Sequence, residues 1–137
     1  MLRLFIFGEV IPLQFYMNGI LWSVYYTNAD NPILVDRTGT RTVAVTDPST
    51  YSIYVSDLLK VPFLTTVILH ELGHVMMISY GYLEEIHRMC YPEYWIEMEE
   101  FICNLIADRA KEIFLRAYDI VGDEAIHIVP SMLELTA

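Results

Sequence analysis

Near residue 57 the chain changes period, and this change constrains its architecture more than any other feature. Strands place alternate residues on one face and helices place every third or fourth residue there, so the two halves need different layers. The first half reads as strands and turns. Residues 2–7 and 11–17 are short apolar runs. Asn18-Gly19, two residues that accept positive φ, separates 13–16 from 21–26 as a hairpin turn. Residues 28–32 form another turn, and 33–35 and 42–46 flank a further tight one at Thr38-Gly39. Asp47-Pro48-Ser49 closes that strand. The next run alternates, with Tyr51, Ile53 and Val55 on one face and Ser52, Tyr54 and Ser56 on the other. Beyond 57 the spacing is helical. Pro62 suits a first turn, and Phe63 to Tyr80 is one helix stopped by Gly81. Pro92 opens a second, long helix to about Tyr118, and 123–135 forms a third, broken by Pro130. The expected fold is α+β, a small twisted and mostly antiparallel sheet of four to six strands followed by helices. One domain over 1–137 is expected, strand-rich over 1–57 and helical over 58–137.

The chain's 137 residues suffice for a substantial core, and its low charged fraction is that of a globular protein. A net charge of -10 with only eight Lys and Arg argues against direct nucleic-acid binding, which needs cations against phosphates. Cys90 and Cys103 are too few and too irregularly placed for a disulfide framework. Glu9 and Pro12 cut the N-terminal apolar run short of a secretory signal. No stretch approaches the roughly 20 apolar residues of a bilayer span. These features predict a soluble, cytoplasmic protein with no membrane partner, and leave its oligomeric state open.

The first helix carries His70-Glu71-Leu72-Gly73-His74. Histidines four apart share one helical face and can converge on a tetrahedral zinc at about 2.0–2.1 Å each. Glu71 is rotated about 100° from His70. It misses the ion but reaches a water on it, as a general base must. Val67, Ile68, Leu69, Leu72, Val75, Met76 and Met77 make the helix apolar almost all round, so it is expected to be buried. Polar groups there are costly unless satisfied. Gly73 costs about 1 kcal/mol against Ala in a helix and points to close approach by a backbone or substrate. One zinc per chain is expected.

A catalytic zinc takes three protein ligands. No third histidine stands at a suitable spacing, so a carboxylate is expected from Glu93, Glu97, Glu99 or Glu100 at the start of the second helix. Glu100 is preferred because Asn104 follows on its face and can fix a ligand imidazole; Glu97 is the alternative. The remaining acids read as a solvated first turn favoured by the helix dipole.

Residues 65–74, with the HELGH run, and residues 100–108, beginning Glu100-Phe101-Ile102-Cys103-Asn104, together resemble the ImmA/IrrE family of gluzincin metallopeptidases. That resemblance implies an HExxH active-site helix and a third-ligand helix, with His70, His74 and Glu100 as ligands and Glu71 as catalytic acid/base. It also implies that Tyr51, Ser52, Ile53, Tyr54 and Val55 form a cleft-edge strand, to which a substrate backbone adds as an extra strand. The expected activity is zinc-dependent endopeptidase hydrolysis of an intracellular protein, such as a phage or host transcriptional regulator.

Other residues have weaker claims. His127 is a candidate oxyanion stabiliser, although an ordinary surface or core role is the commoner one. Tyr91 and Tyr94 could serve the same end, and His87 with Cys90 lacks further ligands. Cys103 reads as a small buried residue. Two rival functions are open. One is a non-catalytic acidic interaction protein on a metalloprotease scaffold, inhibiting a host nucleic-acid-binding factor by imitating phosphate charge. The other is a purely structural zinc site.

Overall fold

The computed structural model describes residues 4–6 and 9–130. The chain forms two compact units, Met1–Ala107 and Asp108–Ala137.

In the first unit, β1 (Leu4–Ile6) and β2 (Glu9–Ile11) form an antiparallel pair. The run expected over 2–7 extends at residues 2, 3 and 7 outside the described residues. A four-stranded mixed sheet follows, in the order β3-β4-β6-β5. Strands β3 (Leu13–Met17) and β4 (Ile20–Thr27) make the expected hairpin, with Asn18 at φ 49° and Gly19 at φ 78°. Strands β5 (Ala44–Asp47) and β6 (Ser52–Ser56) are antiparallel, whereas β4 and β6 run parallel. Tyr51 falls outside β6. It turns at φ 50° and packs edge-on against Trp22.

Helix α1 (Phe63–Tyr80) follows Pro62, and Gly81 at φ 74° ends it by returning its N–H to the Ile78 and Met77 carbonyls. A second, unexpected helix starts at once, α2 (Tyr82–Met89). It has Glu84 and Glu85 in its first turn and His87 and Arg88 in its last, which suits the helix dipole. Helix α3 (Trp95–Val121) opens through a 3₁₀ turn at Pro92–Tyr94, where the sequence placed the start of the long helix.

Two apolar clusters fix these elements. Leu64, Val67 and Val75 of α1 pack on Trp22, Val24, Ala44, Ile53 and Val55 of the sheet. Met77, Ile86 and Cys103 join the three helices. Inside the first cluster the Trp22 indole donates to Ser79 Oγ at 2.9 Å, so the buried N–H is satisfied. By length and composition α1 is apolar enough to cross a membrane, contrary to the expectation that no segment is. It is also less enclosed than its composition suggests, for Phe63 and Tyr80 stand exposed.

In the second unit the distal part of α3 carries the ion pairs Arg109–Glu112 and Arg116–Asp119. A 3₁₀ turn, Gly122–Ile126, ends it. The third helix expected over 123–135 is therefore reduced to that turn; residues 127–130 are not helical, and 131–135 lie outside the described residues. Gly122 at φ 70° breaks the period before a further helix can start.

Candidate metal centre

Helices α1 and α3 bring three donor groups together. His70 Nε2 and His74 Nε2 are 3.2 Å apart. Glu100 Oε2 reaches the first at 3.1 Å, and Glu100 Oε1 reaches the second at 3.4 Å. Two ligands about 2.0–2.1 Å from an ion at the tetrahedral angle stand about 3.3–3.4 Å apart. The donor set thus has nearly the spacing that a zinc ion demands, and its chemistry, two imidazoles and one carboxylate, is the borderline mixture zinc accepts.

The far nitrogens of both imidazoles are held. His70 Nδ1 lies 2.8 Å from Asn104 Oδ1, which can only accept, so the proton sits on Nδ1. His74 Nδ1 lies 3.2 Å from Glu99 Oε2, with the same consequence. Both rings thereby turn Nε2 toward Glu100. Hydrogen bonding to Glu100 raises the pKa of His70, and the His70 bond holds Glu100 well below the usual carboxylate range.

Glu71 is buried and lines the same cleft as His70, His74 and Glu100. Thr46 Oγ1, on β5, donates to its Oε2 at 2.5 Å. A cleft of about 560 Å³ opens over this group, lined by His70, Glu71, His74, Glu100, Thr46 and Arg37 among others.

Gly73 faces α3. A Cβ there would lie 2.9 Å from Cys103 Sγ and 3.2 Å from Cys103 Cα, so only glycine lets the helices meet this closely. The close approach foreseen at Gly73 is therefore that of a neighbouring helix. The Cys103 sulfur lies within 4.8 Å of donor atoms of both histidines. Burial pushes its thiol up to about 12, which keeps it protonated and a poor competing ligand.

Of the acids weighed for the third position, Glu100 joins the imidazoles and Glu97 is exposed. Glu93 is exposed too, but Glu99 is 4 % exposed and is no part of a solvated turn. Its position toward α1 buries it against His74 and Arg37.

The edge-strand expectation for Tyr51, Ser52, Ile53, Tyr54 and Val55 is corrected. Strand β6 pairs on both sides, and the edge is β5. Parallel pairing with β4 puts β6 inside the sheet, and both its faces are largely buried. Tyr54 alone of the five lines the cleft.

His127 lies in the second unit, exposed and 3.9 Å from Glu124. Tyr91 and Tyr94 are exposed. His87 stacks on Trp95, and the Cys90 thiol donates to the Ile86 carbonyl.

Arg37 and Thr46 were not singled out from the sequence, and Glu99 was weighed only as a third ligand, not as the acceptor behind His74. Helical spacing from Asn104 favoured Glu100 and left Glu99 to the solvated first turn, although Glu99 is one turn before Cys103. Arg37 and Thr46 reach the site through tertiary contacts that no local pattern announces. No family model, curated protein or solved structure matches this chain.

Proposed function

We propose that this protein is a zinc-dependent endopeptidase whose ligands are His70, His74 and Glu100 and whose general base is Glu71. The observation that carries the reading is the 3.1–3.4 Å spacing of the two Nε2 atoms and the Glu100 carboxylate, with each Nδ1 tied to its own acceptor. Zinc, when bound, would supply Lewis acidity and bring the pKa of a coordinated water toward neutrality.

The chain's own residues account for the rest. Asn104 and Glu99 hold the imidazoles in the tautomer that presents Nε2. Glu71, fixed by Thr46, takes a proton from the attacking water and returns it to the departing amine. Strand β5 supplies the sheet edge along which an extended substrate can lie. Ser56 N–H donates to the Val43 carbonyl, and ladder alternation then directs the main-chain groups of Ala44 and Thr46 outward. The reading follows the resemblance to ImmA/IrrE peptidases, except that the substrate strand is taken to add to β5 in place of β6. An intracellular protein, such as a transcriptional regulator, is the proposed substrate.

The test is elemental analysis of protein purified without added metal. About one zinc per chain is expected, lost in His74→Ala. Glu71→Gln should keep the zinc and abolish peptide hydrolysis. Wild type that stays metal-free after zinc is offered would overturn the reading, as would hydrolysis that survives Glu71→Gln.

A further inference from the structure

We infer that Arg37 is a positioning residue for the metal ligands, acting on His74 through Glu99; this rests on the zinc reading above. Glu99 Oε2 accepts from two donors at once, His74 Nδ1 and Arg37 Nη2. The same Nη2 stands 3.4 Å from Glu100 Oε1, on the carboxylate that faces both imidazoles. One guanidinium nitrogen therefore joins the acid that orients a ligand to the acid that is a ligand.

The support behind Arg37 is a pinned turn. Asp36 Oδ1 accepts from the Thr38 N–H, the Thr38 hydroxyl and the Thr40 N–H at 2.9, 2.6 and 3.0 Å. The backbone closes through Asp36 N–H to Thr40 O and Gly39 N–H to Asp36 O, with Gly39 at φ 85°. Val35 and Arg41 bridge across the base of the turn. A surface turn held at so many points presents its second residue at a fixed place, and that residue is Arg37.

The electrostatic reason for an arginine is direct. Glu99 is nearly fully buried, and a buried carboxylate facing a neutral imidazole is left with net negative charge and strong desolvation. Glu100 adds a second carboxylate beside it. Nη2 carries two hydrogens held in the guanidinium plane, one available to each acid, whereas the ammonium of lysine rotates at the end of a flexible stem. Arg37 thus keeps Glu99 seated on His74 Nδ1. It leaves Glu100 free to turn its other oxygen to His70, 3.1 Å away.

The experiment measures zinc affinity by competition with a chromophoric chelator, together with the visible spectrum of the cobalt-substituted protein. Arg37→Ala should bind zinc about 10–100-fold more weakly, the range found when the partner behind a ligand is lost. Its cobalt spectrum should shift, since His74 loses its orientation. Arg37→Lys should recover only part of the affinity. Glu99→Gln should weaken binding similarly, and Arg37→Ala/Glu99→Gln should be no weaker than Glu99→Gln alone, because both act through one path. Circular dichroism of the metal-free variants separates lost folding from lost positioning. If Arg37→Ala does not fold, Arg37→Lys and Glu99→Gln carry the test. Wild-type affinity in Arg37→Ala, or losses that multiply in the double variant, would overturn Arg37's role and leave the zinc site standing. A wild type that binds no zinc would overturn both.

Discussion

Thr46 gives Glu71 a hydroxyl donor that can be removed with little change in side-chain volume. Thr46→Val should leave zinc content unchanged and lower peptide turnover at least tenfold. A charge-assisted hydrogen bond contributes about 1.5–3 kcal/mol, and without it the buried carboxylate is free to leave its productive position. Turnover equal to wild type, measured beside metal content, would remove Thr46 from the mechanism. Gly73 makes the opposite kind of demand. Gly73→Ala should gain helix propensity yet destabilise the fold by about 1–3 kcal/mol in urea titration, because the new methyl meets Cys103 Sγ and Cα. Cys103→Ala added to it should restore part of the loss, removing the sulfur but not the Cα. Full stability in Gly73→Ala would show that the helices part without cost. His70, Glu71 and His74 were readable at this scale because helical spacing is local. The partners that hold them arrive from residues 25 to 34 or more positions away in the chain, where no periodicity reaches.

At the scale of elements, α1 and α3 are joined in the metal-free protein by the His70–Glu100 pair. His70's pKa is raised above 6.5 and Glu100's lies below 4.5, each chiefly through their mutual hydrogen bond. The raised His70 contributes stability that is fully present below 6.5 and lost as pH climbs through its folded value. The depressed Glu100 contributes stability that is present above 4.5 and lost only as pH falls through its folded value. The pair is therefore strongest between these limits, and the Tm measured in EDTA should fall on the alkaline side. Zinc needs an unprotonated Nε2, so its affinity should rise with pH across the same transition. A His70→Gln variant with the same metal-free pH profile as wild type would contradict this pairing. Hairpin β3–β4, helix α1 and most of α3 follow from turn chemistry and period. The order of β5 and β6 does not. A strand's side-chain alternation says which faces it presents and nothing about which neighbours it pairs with, and Ser52 and Ser56 disguised an interior strand as a half-exposed one. Helix α2 escaped because eight residues after a stop glycine look like a loop until Ile86 is seen packed with Met77.

Over the whole molecule, every residue assigned to the site belongs to the unit Met1–Ala107. Zinc at about a hundred times its Kd should stabilise the fold by about 2.7 kcal/mol. Amide exchange should then slow over α1 and the first half of α3, while residues 108–130 keep their metal-free rates. Uniform slowing along the chain would contradict this division. The tight seating of Cys103 against Gly73 also bears on survival under oxidants. A protonated sulfur pressed between two helices is a poor target, and an added oxygen atom would have no volume to occupy. Mass spectrometry after native alkylation should find label on Cys90, which is partly accessible, and none on Cys103. A thiol so near two imidazoles and a carboxylate would be open to oxidants on a bare surface; here helix packing shields Cys103, and oxidation of the protein would have to begin elsewhere.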